Sequence, residues 1–136
     1  DSGFETVADT LFLRKGQDFE PDPVEDDQAL FVKTDLGLVV ILGCAHRGTI
    51  NTLRLARRLT GMDRIYLVLG GTHLVAAGPQ VLERTIQELE AYGVEHLGVS
   101  HCTGSKAAVA LARAFGERFF FNHAGTLLRF PLDSAV

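Results

Sequence analysis

The sequence predicts an α/β domain in which helices cover one mixed sheet. Two observations carry this. Apolar runs at 38–42 and 65–69 are long enough for buried strands, and each is followed by a glycine-containing loop and a segment of helical periodicity. A third cycle of the same kind starts near residue 95, and three successive strand-loop-helix units argue for helices layered on a sheet.

The elements follow in order. Residues 1–27 are mixed and partly acidic, with Pro21, Pro23 and the run Glu25-Asp26-Asp27, and are expected to form an irregular lead-in to a domain spanning 28–136. Residues 29–34 read as a strand, Asp35-Leu36-Gly37 as a turn, and 38–42 as its hairpin partner. After Gly48, the spacing of Ile50, Leu53, Ala56 or Arg57, and Leu59 is that of an amphipathic helix stopped by Gly61, with Arg54, Arg57 and Arg58 largely outward. The strand at 65–69 leads through Gly70-Gly71 to a helix opening near Pro79 and carrying Val81, Leu82, Ile86 and Leu89 as far as Gly93. A strand at 95–99 precedes a helix over 105–115 closed by Gly116. Residues 119–122 and 126–130 read as closing strands joined at Ala124-Gly125.

Bulk properties narrow the function. With 136 residues, 46% hydrophobic and 22% charged, there is enough apolar material for one core. A net charge of -4 gives no basic footprint for nucleic acid. No run reaches the ~20 apolar residues of a membrane span, and no signal pattern is visible. A soluble, cytoplasmic protein with neither nucleic acid nor membrane as partner is expected. Two cysteines, Cys44 and Cys102, make no disulfide framework and suit a reducing compartment. The only methionine is Met62, so the sequence opens at Asp1 without an initiator, as a processed chain or a fragment would.

The chemistry is carried by a recurrence. Gly43-Cys44-Ala45-His46, Gly70-Gly71-Thr72-His73 and Val99-Ser100-His101 each set a histidine just beyond a strand. Parallel neighbouring strands would bring all three imidazoles to one sheet edge, where ligand sites of α/β proteins form. Any one histidine alone is as readily a hydrogen-bonded loop residue, but three in equivalent positions favour a metal. Helices starting beyond Arg47 and Lys106 would turn free N–H groups toward the same edge. That makes Arg47, Thr103 and Lys106 candidates for binding an anionic, phosphorylated substrate; the alternative is helix capping by Thr49, Thr103 or Ser105 with solvated cations. Cys44 and Cys102 are read as small packing residues near the site, and His96 and His123 as structural.

The words Gly-Cys-Ala-His-Arg-Gly (43–48), Gly-Gly-Thr-His-Leu (70–74) and Ser-His-Cys-Thr-Gly (100–104) together resemble the metallo-β-lactamase superfamily. They look most like its branch of metal-dependent hydrolases that includes the dihydropterin ribofuranosyl-aminobenzene phosphate synthases of methanopterin biosynthesis. Asp18-Phe19-Glu20 and Asp26-Asp27-Gln28-Ala29-Leu30 extend the likeness. The resemblance implies the C-terminal half of an αββα fold, with His46 matching the third metal-binding motif and His101 the last. His73 stands where many superfamily members carry a bridging aspartate. The His-x-His-x-Asp-His motif that opens the family's site does not occur among these residues.

The resulting expectation is the C-terminal part of a metal-dependent hydrolase, with a phosphate-containing or pterin-precursor small molecule as substrate. Its metal ligands would be His46, His73 and His101, with zinc first and iron or manganese as alternatives. No catalytic base is assigned, since the motif aspartate is absent, so the chain alone should be weakly active or inactive. The bare sheet face should take the missing N-terminal half or self-associate. The competing reading is a non-catalytic metal- or ligand-binding module.

Overall fold

A computed structural model describes residues 2–7 and 12–132. The expected hairpin is formed by β3 (Ala29–Thr34) and β4 (Gly37–Leu42), paired antiparallel with Thr34 opposite Gly37. β4 then runs parallel to β5 (Ile65–Gly70), β5 to β6 (His96–Val99) and β6 to β7 (Phe119–Phe121). The mixed sheet therefore has the order β3-β4-β5-β6-β7, each strand lying beside its sequence neighbour. Parallel neighbours need a crossover, and α1 (Thr49–Thr60), α2 (Pro79–Ala91) and α3 (Ser105–Phe115) supply the three. Gly61 ends α1 in the left-handed conformation, its N–H returning to the Arg57 carbonyl, and Pro79 opens α2.

All three helices pack on one face. Ile50, Leu53, Leu82, Leu89, Leu111 and Phe115 meet Leu38, Val40, Ile65, Val68, Leu97 and Val99 in one continuous core. Burying such a side chain contributes roughly 1.5–3 kcal/mol, so the helix-facing side dominates the stability. The opposite face holds a smaller cluster of Val39, Tyr66, Leu67 and Phe120.

Two expectations are corrected by the backbone. The lead-in is not wholly irregular: β1 (Phe12–Lys15) and β2 (Asp18–Pro21) form an exposed antiparallel hairpin around Gly16-Gln17. The signal for it was Gly16, which sits at φ +67° in a two-residue turn. The strand expected over 126–130 does not form. After a turn closed by the Thr126 N–H on the His123 carbonyl, the chain crosses the second sheet face, where Leu128 and Leu132 pack against its cluster and the Leu132 N–H reaches the Tyr66 hydroxyl at 2.5 Å. Burying leucines on an open apolar face outweighed extending a three-residue strand. Beyond this cover the face stays open, with Leu30 and Val32 exposed across from Ile41 and Val39.

The sheet edge that carries the histidine loops leaves no room for a side chain at residue 70. A Cβ on Gly70 would lie 2.3 Å from the Leu42 carbonyl oxygen, at a φ of +124°. Gly70→Ala should therefore cost about 2 kcal/mol or more in urea denaturation, and a loss within the roughly 0.5 kcal/mol of an ordinary surface change would contradict this packing.

Candidate metal centre

The three loops after β4, β5 and β6 are tied to one another through their backbones. Gly71 N–H donates to the Gly43 carbonyl at 3.0 Å, Ser100 N–H to the Gly70 carbonyl at 3.0 Å, and Val75 N–H to the Cys102 carbonyl at 3.2 Å. These bonds continue the parallel ladder past the strand ends and bring the loop side chains to one edge.

His46 and His73 meet there. Their rings lie 4.1 Å apart between centroids, tilted by 45°. The Nδ1 atoms of both are buried without a hydrogen-bond partner, a costly condition for a polar atom unless something binds it. His73 also holds a positive φ of 50°, and Ala45, next to His46, one of 52°. Backbone of this kind in non-glycine residues is uncommon and concentrates at functional sites. Burial, and then the neighbouring His46, hold the His73 imidazole below its ordinary pKa; Asp27 acts in the opposite sense and His101 in the same one. The neutral imidazole that a metal requires is thus favoured.

His101 belongs to a second group. Its Nε2 lies 3.1 Å from the Cys44 sulfur and its Nδ1 3.2 Å from the Ser100 hydroxyl. Cys102 follows in the same 3-10 turn, His101–Thr103, with its sulfur 3.5 Å from the Cys44 carbonyl. The side chains gathered within 4.8 Å of one another are Cys44, His101 and Cys102, rather than the three histidines. The cysteines, expected as packing residues, face the centre. Asp27, at the end of the acidic run, also reaches it: one of its oxygens accepts the Arg47 N–H at 2.9 Å, and its charge acts on His73. Its place beside Arg47 depends on how the lead-in wraps the loop, which local spacing does not encode.

The candidate anion-binding residues fall apart. The start of α1 is filled by the chain's own Glu5 carboxylate, which accepts the Ile50 and Asn51 N–H groups at 2.9 and 2.8 Å. Burial pushes the Glu5 carboxyl above its ordinary pKa, against the lowering by those N–H groups. The Arg47 side chain is exposed beside this arrangement. Thr103 is buried, its hydroxyl 3.0 Å from that of Thr72, where it ties the second histidine loop to the third. Lys106 lines a separate hollow of about 450 Å³ with Leu82, Val109 and Arg113. Neither Thr49, Thr103 nor Ser105 caps its helix: Gly48 and Gly104 stand at those positions. His96 lies edge-on to Tyr66, and His123 stacks on Phe121.

Comparison with known proteins agrees with the fold. A solved structure, Tm1679, a metal-dependent hydrolase of the beta-lactamase superfamily, superposes with a TM-score of 0.87 at 32% identity over 98% of this chain and 51% of its own. The chain is similar in fold and in sequence to this metallo-β-lactamase superfamily hydrolase. No family model matches it. Among curated proteins, the 7,8-dihydropterin-6-methyl-4-(beta-D-ribofuranosyl)-aminobenzene-5'-phosphate synthase of Methanocaldococcus jannaschii is 35% identical over 109 residues, covering 80% of this chain and 37% of that protein. The uncharacterized protein MJ0448 of the same organism is 32% identical over 107 residues, covering 79% of this chain and 38% of its own length. The chain thus spans under two-fifths of the curated relatives and about half of the solved hydrolase. Among its described residues no helix is long and apolar enough to cross a membrane.

The placement of Thr103 makes a direct test. Thr103→Val keeps the shape but leaves the buried Thr72 hydroxyl unpaired, and should cost about 1–3 kcal/mol in thermal or urea unfolding. Unchanged stability would remove the structural role given to this hydroxyl.

Proposed function

We propose that this chain is the C-terminal part of a metal-dependent hydrolase, and that His46, His73 and His101 are its contribution to the metal centre. The observation that carries the reading is the pair of buried, unpartnered Nδ1 atoms on adjoining imidazoles at the ends of two parallel strands. Two ring nitrogens without protein partners fit a divalent ion of borderline softness, so zinc is the first choice, with iron or manganese as alternatives. Such an ion would act as a Lewis acid on a substrate oxygen. The inter-loop backbone bonds hold the two histidine loops together, and burial favours the neutral form of His73.

The similarity to the dihydropterin ribofuranosyl-aminobenzene phosphate synthase supports a small, phosphorylated substrate related to pterin precursors. The other ligands and a catalytic base would come from further residues of a longer protein, because no His-x-His-x-Asp-His occurs in this sequence. The same longer protein would cover the open part of the second sheet face at Leu30 and Val32. Alone, the chain should bind metal with weak turnover or none.

Metal analysis tests the reading. The purified chain should take up zinc, and His46→Ala and His73→Ala should each weaken uptake by about tenfold or more, while the exposed His123→Ala leaves it unchanged. Failure of the chain to bind zinc, iron or manganese, or indifference to both substitutions, would sink it.

A further inference from the structure

We infer that Cys44, His101 and Cys102 form a thiolate-containing subsite of this centre, taking a zinc-like divalent ion of borderline or soft character through two sulfurs and one imidazole. The inference rests on the metal-centre reading above and goes beyond it, since neither cysteine has a role there.

The geometry supplies the case. One potential ligand atom from each of the three side chains lies within 4.8 Å of the others, close enough for a single ion to bridge after small rotamer changes. Nε2 of His101 already faces the Cys44 sulfur at 3.1 Å, while its Nδ1 meets the Ser100 hydroxyl. A ligating histidine commonly has its second nitrogen held in this way.

Gly71 is the second observation. A Cβ there would lie 2.6 Å from the Cys102 sulfur, 2.7 Å from His101 Cε1 and 2.8 Å from the Gly43 carbonyl oxygen. Two of the three side chains are thus seated against bare backbone in a cradle that only glycine leaves open. The sulfurs come from different elements, Cys44 from the loop after β4 and Cys102 from the turn after β6, so their meeting is a product of the sheet. A divalent ion between the sulfurs would displace their protons, and its charge would offset that of two adjoining thiolates.

A charge balance follows from this composition. Two thiolates and a neutral imidazole offset a 2+ ion, whereas the His46–His73 pair adds no charge. The subsite would therefore favour zinc, cadmium or cobalt over the oxygen-preferring magnesium and calcium.

Cobalt(II) titration of the reduced chain under anaerobic conditions tests this. Sulfur-to-cobalt charge transfer should appear in the near ultraviolet, fall to about half in Cys44→Ser or Cys102→Ser, vanish in the double variant, and persist in the exposed His123→Ala. A measurement on the unaltered chain guards against misfolding of the variants: zinc should slow alkylation of both cysteines by iodoacetamide at least tenfold. Cobalt bound without the charge-transfer band, or cysteines alkylated equally fast with and without zinc, overturns the thiolate subsite and leaves the histidine reading standing. Absence of any metal uptake overturns both.

Discussion

The candidate centre depends on how closely three loops approach at the end of a parallel sheet. Parallel strands end with their carbonyl and N–H groups staggered, and here the ladder continues through Gly43, Gly70, Gly71 and Ser100 before the chains diverge into helices. A side chain at residue 70 would strike the Leu42 carbonyl, and one at residue 71 the Gly43 carbonyl and the third loop. The glycines permit the approach, and the approach turns three separate sequence words into one cluster of imidazoles and thiols.

Within that cluster the side chains divide by environment. His46 and His73 adjoin with tilted rings, half-buried and with unpartnered nitrogens, while His101 is more exposed and faces sulfur. Burial of His73 favours the neutral ring, and the carboxylate of Asp27 partly offsets this. Acceptor nitrogens and polarizable sulfurs side by side, with one carboxylate at the rim, make a donor set suited to a borderline cation rather than to an oxygen-seeking one.

The remainder of the chain serves this edge indirectly. Helices on one face supply most of the buried apolar surface and hold the strands in register. The other face is closed only in part, by the chain's own Leu128 and Leu132. At the start of α1 the chain spends its own carboxylate, Glu5, on the free N–H groups that would otherwise attract an anion. Sequence position alone made that helix start look like a phosphate site; a residue forty-five positions earlier fills it.

The sequence by itself determined the order and type of elements from residue 29 to residue 121, because apolar runs, helical spacing and the punctuation of Gly61, Pro79 and Gly116 are local signals that agree with the global fold. It also placed three histidines at equivalent strand ends, and its three words carried the family likeness. The hairpin around Gly16 and the path of the last residues were not legible, since an exposed two-residue turn and a crossing of an open face leave weak patterns. Tertiary structure alone decided which side chains meet. It paired His46 with His73, set His101 between Cys44 and Cys102, brought Asp27 to the rim, and withdrew Thr103 and Lys106 from it. The physical reason is that periodicity reports which face a residue occupies, whereas contact across strands depends on register, loop backbone and the space glycine leaves, none of which is written in local spacing.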